Sequence, residues 1–186
     1  MRRRGGTIRA FVALPIPEDL RAPLTLLQFL LPLPRRVPPE NLHLTLAFLG
    51  EISPEEAEEV HHALDSLRLS PVPVHLRGVG MFGGERPHSV HALAVPDPAL
   101  KHLARKVAQA ARGAGVTIAA RRFVPHVTLG RLDPAGADLP RLERAVAAEA
   151  GFVCGPALMD RFCLMRSRLH PDGARYETLA EYPLGG

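Results

Sequence analysis

Two stretches of sequence decide the fold: Asn41-Leu-His-Leu-Thr-Leu-Ala-Phe-Leu-Gly-Glu51 and Phe123-Val-Pro-His-Val-Thr-Leu-Gly-Arg131. Both contain the same four-residue pattern, His43-Leu-Thr-Leu46 in the first and His126-Val-Thr-Leu129 in the second. A shuffled chain of this composition would contain roughly 0.04 copies of the pattern, so two copies are improbable as an accident. The doubled pattern therefore indicates a functional site.

Both stretches are predicted to be β-strands, in which successive side chains point to opposite faces. His43 and Thr45 then share one face of their strand, and His126 and Thr128 share one face of theirs. The leucines and the valine between them occupy the opposite, apolar face, which is expected to anchor each strand in a core. If the two halves of the chain are related by an approximate two-fold axis, the two polar faces meet across a cleft.

Predicted strands and helices around these stretches occur in an order that the second half of the chain repeats. The pattern predicts an α+β fold with mainly antiparallel sheets and two similar lobes. Near the end of the chain, a long strand is predicted over Ala157–Arg168, and the turn His170-Pro-Asp-Gly173 joins it to a strand over Arg175–Pro183. No linker is evident, so residues 1–186 are predicted to form a single bilobal domain.

Composition sets limits on the class of protein. Of the 186 residues, 46% are hydrophobic, which is enough to bury a core, and no apolar run is long enough for a membrane helix. We expect a cytoplasmic protein that does not contact a membrane. Cys154 and Cys163 have no zinc or redox spacing and are predicted to be reduced thiols. The net charge of +4 permits a nucleic-acid partner without requiring one.

Two imidazoles and two hydroxyls suit an anionic phosphorus centre. Each threonine hydroxyl can donate a hydrogen bond to a non-bridging oxygen. A neutral histidine can accept a proton from an attacking water or hydroxyl, and a protonated one can give a proton to the leaving oxygen. Arg131 could clamp the phosphate, and Gly130 before it would let the backbone approach a ligand. The residues alone do not say which histidine is the acid.

At these residues the chain resembles the 2H phosphoesterase superfamily, which is defined by two H-x-[ST]-x motifs. Within it, the chain is similar to the bacterial and archaeal RNA 2′,3′-cyclic phosphodiesterases, which are also called 2′-5′ RNA ligases. Three further stretches support the resemblance: Arg9-Ala-Phe-Val-Ala-Leu14, Ser167-Arg-Leu169 and Gly173-Ala-Arg-Tyr-Glu-Thr-Leu179. The resemblance implies a bilobal fold with outer helices and an active site in the central cleft.

The resemblance also implies an activity, hydrolysis of an RNA 2′,3′-cyclic phosphate end to a 2′-phosphate without a metal or a cofactor. His43 would be the general acid and His126 the general base. Thr45 and Thr128 would hold the phosphate, and Arg131 matches a family arginine near it. Ligation through a 2′-5′ bond would be possible when a 5′-hydroxyl replaces water. The expected partner is RNA with a cyclic phosphate end, and the expected state is a monomer.

Alternatives remain open at this point. The substrate can instead be a 2′-5′ oligonucleotide or a small cyclic nucleotide, and a module that binds RNA ends without turnover is the alternative from another class.

Relatives often carry an aromatic residue late in the strand predicted over Val90–Val95, where this chain has none. His91 could stack on a base in its place, although a plain strand histidine is preferred. Four arginines flank the two motifs, and they form either a basic rim that attracts RNA or a solvated cluster of charges: Arg35, Arg36, Arg121 and Arg122.

Overall fold

The computed structural model describes residues 6–133, 136 and 138–185. The four helices of this part are α1 (Glu18–Leu30), α2 (Pro54–Asp65), α3 (Pro98–Gly113) and α4 (Leu139–Ala148). The strands are β1 (Ile8–Pro15), β2 (Arg35–Arg36), β3 (His43–Ile52), β4 (Val72–Phe82), β5 (Ser89–Ala94), β6 (His126–Arg131), β7 (Val153–Met159), β8 (Arg161–His170) and β9 (Gly173–Pro183). A 3₁₀ turn over Pro39–Asn41 lies between β2 and β3.

All nine strands of this part of the chain belong to one antiparallel sheet. Eight of them follow the order β7-β4-β5-β6-β3-β1-β8-β9, and the short strand β2 pairs with β6. The two halves of the sheet meet where β3 pairs with β6, at the single position Leu44–Val127. Each half therefore places its motif strand innermost. This arrangement confirms the predicted bilobal α+β fold, with the two lobes sharing one continuous sheet.

The core lies between the helices and one face of the sheet. Leu44 and Val127, at the junction of the halves, are fully buried, as are Val12 and Leu14 of β1. Helix α1 packs on β6 and β7, while α3 packs on β3 and β4. Burying each such side chain contributes about 1.5–3 kcal/mol. The same burial fixes the junction, because the apolar residues that alternate with the two motif histidines are held in this core.

Capping residues set the start of two helices. The Ser53 hydroxyl accepts a hydrogen bond from the Glu56 backbone N–H at 3.1 Å, and the Glu56 carboxylate accepts one from the Ser53 N–H at 2.7 Å. This reciprocal pair is the capping box that Ser53-Pro-Glu-Glu56 predicts. At α3, the Asp97 carboxylate accepts from the Ala99 N–H at 2.7 Å. Such caps typically stabilise by about 1 kcal/mol.

The predicted strand over Ala157–Arg168 is wrong, because the structure has two strands there. The first, β7, ends at Met159 and pairs with β4 at one edge of the sheet. The second, β8, begins at Arg161 and pairs with β1 in the other half. Only the exposed residue Asp160 lies between the two strands. Since apolar residues occur on both sides of Asp160, the local sequence does not reveal the change of partner.

Both cysteines, Cys154 on β7 and Cys163 on β8, are buried free thiols, as predicted. Burial raises the pKa of the Cys163 thiol to about 11, which keeps it protonated and unreactive near neutral pH. Among the helices of residues 6–133 and 138–185, none is long and apolar enough to cross a membrane.

Candidate active site

The two motifs lie side by side where the halves of the sheet meet. The antiparallel pairing of Leu44 with Val127 brings together the strand that carries His43 and Thr45 and the strand that carries His126 and Thr128. All four of these polar residues are half-buried, on the face of the strands opposite the buried core. The junction thus collects both imidazoles and both hydroxyls on one surface.

Both histidine rings are oriented in the same way. The His43 Nδ1 lies 2.7 Å from the carbonyl oxygen of Asn41, and the His126 Nδ1 lies 2.7 Å from that of Val124. A carbonyl oxygen only accepts hydrogen bonds, so Nδ1 carries the hydrogen in both rings. In the neutral ring, Nε2 is then an acceptor, and on protonation it becomes a donor. In each case the carbonyl group that orients the ring belongs to the residue two positions earlier in the chain. The Nε2 of each ring is left available for proton transfer.

Two aromatic rings pack against His43. Phe11 lies 4.9 Å from it between ring centroids, and Tyr176 meets it edge-on at 5.1 Å. Phe11 and Tyr176 also contact each other at 5.1 Å. The side-chain amide of Asn41 donates to the Ala174 carbonyl at 3.3 Å, which ties the backbone that orients His43 to strand β9. This packing restricts the ring to one orientation.

A matching aromatic wall stands behind His126. Phe82 meets it edge-on at 4.7 Å, and His91 lies 5.1 Å away. Phe82 and His91 lie against each other with centroids only 3.7 Å apart. His91 is 2% exposed, so its ring does not present a free face to a nucleobase and is a buried strand histidine. Burial, together with the neighbouring His126 and His88, lowers the pKa of His91 to about 4 and keeps it neutral.

Electrostatics link the two motif histidines to each other and to Arg131. Burial is the main cause that lowers the pKa of His43, and the charges of His126 and Arg131 lower it further. Burial likewise lowers the pKa of His126, and Arg131 adds to the effect. Hydrogen bonds to the backbone carbonyls oppose both shifts by stabilising the protonated rings. Both imidazoles are therefore neutral at pH 7 until an anion arrives.

The remaining predicted residues also border this surface. In the described part of the chain, neither Thr45 nor Thr128 uses its hydroxyl in a hydrogen bond, so both can donate to a ligand. Arg131 is the last residue of β6 and is exposed. Gly130, before it, has a structural role. A Cβ there would lie 2.9 Å from the carbonyl oxygen of Arg35, so glycine is required for strand β2 to pair with β6.

Sequence reasoning did not identify Tyr176, Phe11, Phe82 or the packing of His91 as parts of this site. Tyr176 lies in a stretch that supports the family resemblance, yet its contact with His43 spans more than 130 residues.

Of the flanking arginines, Arg35 and Arg36 join Arg131 around one pocket, whereas Arg121 and Arg122 lie outside it, on an exposed segment before β6. Across residues 6–133, 136 and 138–185, no three His, Cys, Asp or Glu side chains cluster to hold a metal ion.

Comparisons with known proteins identify the family of this chain. Residues 16–171 match the family model of the 2′-5′ RNA ligase superfamily. The RNA 2′,3′-cyclic phosphodiesterase of Thermus thermophilus is 34% identical over 192 residues, covering 96% of this chain and 91% of the relative. The enzyme of the same name from Aeropyrum pernix is 32% identical over 150 residues, covering 79% of this chain and 84% of the relative.

A solved structure shows the same fold. The crystal structure of TT0787 from Thermus thermophilus superposes with a TM-score of 0.81 at 30% identity, covering 96% of this chain and 99% of that one. The family model spans most of the chain, and the Thermus thermophilus relative matches it nearly end to end. The chain therefore belongs to the 2′-5′ RNA ligase superfamily of 2H phosphoesterases.

Proposed function

We propose that the protein hydrolyses the 2′,3′-cyclic phosphate end of an RNA to a 2′-phosphate. The observation that carries this proposal is the matched pair of histidines at the β3–β6 junction. Both rings carry their hydrogen on Nδ1, and Nε2 of each is left for the reaction. The names of the relatives from Thermus thermophilus and Aeropyrum pernix support the substrate.

The reaction needs two proton transfers and one displacement at phosphorus. The water oxygen attacks the phosphorus atom while Nε2 of His126 takes its proton. The bond from phosphorus to the 3′ oxygen breaks, and the protonated Nε2 of His43 gives its proton to that oxygen. The bond to the 2′ oxygen remains, so the product is a 2′-phosphate. Each transfer typically contributes about 10²–10⁴ in rate.

The pKa values fit this cycle. With both pKa values lowered, the empty site holds neutral imidazoles near pH 7. An anionic cyclic phosphate brings negative charge to the junction and favours protonation of one ring, which makes one acid and one base. The two rings have the same tautomer and similar surroundings, so the assignment of His43 as the acid comes from the family resemblance.

Three other residues complete the proposal. The hydroxyls of Thr45 and Thr128 donate to the non-bridging oxygens. The guanidinium of Arg131 stabilises the charge that builds up on the phosphorane in the transition state. A 5′-hydroxyl RNA in place of water would give a 2′-5′ bond by the same steps. Since the site needs both halves of the sheet, we propose that residues 1–186 act as one unit.

Product analysis tests the proposal. We expect an RNA with a 2′,3′-cyclic phosphate end to yield only the 2′-phosphate, separable by chromatography from the 3′-phosphate. We expect multiple turnovers, and the same rate with and without a chelator such as EDTA, because the two imidazoles supply both proton transfers. A 3′-phosphate product, a rate abolished by the chelator, or binding without turnover would each contradict the proposal.

A further inference from the structure

The pocket that Arg35, Arg36 and Arg131 share lies between strand β2 and the tip of the β8–β9 hairpin. Its volume is about 370 Å³, within the range of about 300–1,000 Å³ that small-molecule sites occupy. Arg131 and Tyr176 line it, and the same two residues border the histidines through charge and ring contact. A group bound there can therefore belong to the same molecule as a phosphate held between the histidines.

The lining of this arginine pocket is positively charged. Arg35, Arg36, Arg131 and Arg175 face two carboxylates, Glu40 and Asp172, and four cations against two anions leave a net charge of +2. Arg35 stands directly opposite Arg131 in the antiparallel pair of β2 and β6. Like charges directly opposite each other destabilise a strand pair. The fold thus keeps two cations together at some cost to its stability.

No partner within the described residues neutralises these cations. None of the four pocket arginines lies within 4 Å of a carboxylate oxygen in residues 6–133 and 138–185, whereas Arg21, Arg161 and Arg168 each do. Arginine side chains that stay unpaired beside an active site are suited to bind an anion from solution. Their planar forks donate two hydrogen bonds at once to a phosphate group.

The wall that carries Arg35 and Arg36 is held rigidly. The buried side-chain amide of Gln28 donates to the Val37 carbonyl at 2.8 Å and to the Leu129 carbonyl at 2.7 Å. The absence of a side chain at Gly130 admits the Arg35 backbone. These bonds join helix α1, the β2 segment and β6. The pocket is therefore built into the fold and does not depend on loose surface side chains alone.

We propose that the arginine pocket binds the phosphodiester linking the terminal nucleotide to the rest of the RNA strand. This inference rests on the proposed function, in which the terminal cyclic phosphate lies between the histidines. The next phosphate of the same strand is then the nearest further anion. Glu40 and Asp172 accept hydrogen bonds from ribose hydroxyls or base N–H groups and disfavour a more highly charged ligand. The pocket therefore favours an oligonucleotide end over a nucleoside cyclic phosphate.

Two small substrates distinguish binding in the arginine pocket from the reaction at the two histidines. One is adenosine 2′,3′-cyclic phosphate with a free 5′-hydroxyl. The other is the same compound carrying a 5′-methylphosphate, which has the single charge of an internal phosphodiester. We expect kcat/KM of the wild-type protein to be roughly 10- to 100-fold higher for the second compound, as for gaining hydrogen bonds to a charged group.

Variants of the pocket arginines test whether the pocket causes this difference in kcat/KM. Arg35→Gln and Arg175→Gln are expected to lower the ratio of the two kcat/KM values toward one, since each removes a cation and keeps a side chain of similar length. Both residues are exposed, and their backbone strand pairs do not depend on the side chain. The control is Arg112→Gln, which removes the same charge from an exposed position on α3 and is expected to keep the wild-type ratio.

The outcomes are distinct for the two proposals. If the wild-type protein hydrolyses neither compound nor an RNA with a 2′,3′-cyclic phosphate end, the proposed function fails, and this inference falls with it. If it hydrolyses that RNA but neither compound, only the inference is wrong. If it hydrolyses both at equal kcat/KM, or if both arginine variants keep the wild-type ratio, only the inference is wrong. Should the variants change ligation to a 5′-hydroxyl RNA while keeping that ratio, the pocket holds the second strand, and the inference is again wrong. When one variant fails to fold, the other decides.

Discussion

Alanine at His43 or at His126 is expected to lower kcat for hydrolysis of an RNA 2′,3′-cyclic phosphate end by about 10²–10⁴, because each change removes one positioned proton transfer. The two rings lie on neighbouring strands and act on one phosphate, so their effects are not independent. We expect the double variant to lose much less than the product of the two single losses, as for catalytic groups that work as a unit. Single-turnover kinetics with saturating protein measure the loss in the chemical step.

The matched control for these variants is His62→Ala. His62 lies on α2 with a side chain that is 67% exposed, outside the sheet junction. We expect it to retain wild-type kcat. Thermal unfolding of all three single variants checks that the fold persists. We expect it to persist, because the core residues Leu44 and Val127 are unchanged. Full activity in either His43→Ala or His126→Ala would refute the acid–base pair.

Glutamine at Arg131 is expected to have the second-largest effect, a loss of about 10²–10³ in kcat. This is the typical cost of removing one preorganised donor to a developing charge. The same change also moves the pH profile. The positive charge of Arg131 lowers the pKa of both His43 and His126, because it disfavours a second cation nearby. Without that charge, both pKa values rise.

The sign of the pH effect follows from these shifts. In the wild-type protein both pKa values lie below 6.5. The form with one protonated and one neutral ring is therefore most populated below pH 6.5 in the free protein. We expect a bell-shaped profile of kcat/KM with its maximum there. In Arg131→Gln, the whole bell is expected to move to higher pH while its height falls.

Arg131→Lys separates charge from geometry. Lysine keeps the positive charge but lacks the planar fork that donates two parallel hydrogen bonds. We therefore expect a bell at nearly the wild-type pH with a reduced height. A profile of Arg131→Gln that coincides in pH with the wild type would show that Arg131 does not act on the two imidazoles. The account of the site electrostatics would then be wrong.

Much of the fold could be predicted from the sequence because its signals are local. The capping box at Ser53 and the alternation around His43 and His126 depend only on neighbouring residues, and the structure has a helix and two strands at those places. The bilobal arrangement followed from the repeated order of elements. The roles of the two histidines, two threonines and Arg131 remain predictions, although the structure gathers them at one junction.

What the sequence did not reveal depends on contacts between distant parts of the chain. The local sequence does not reveal the break at Asp160, because apolar residues occur on both sides of it and the two strands pair with different, distant strands. The two-residue strand β2 is too short for any periodicity. The pairing of Arg35 with Arg131 is unfavourable because both side chains are positively charged. The proposed binding of an anion between them gives this pairing a physical reason.

The most direct test of the account is a crystal structure with adenosine 2′-monophosphate, the product of the proposed reaction in its smallest form. The account predicts one phosphate at the β3–β6 junction, with Nε2 of His43 and Nε2 of His126 both within about 3.2 Å of its oxygens or of the ribose 3′ oxygen. Thr45, Thr128 and Arg131 should hold the other oxygens. A phosphate bound by one imidazole only, or bound away from the junction, would contradict it.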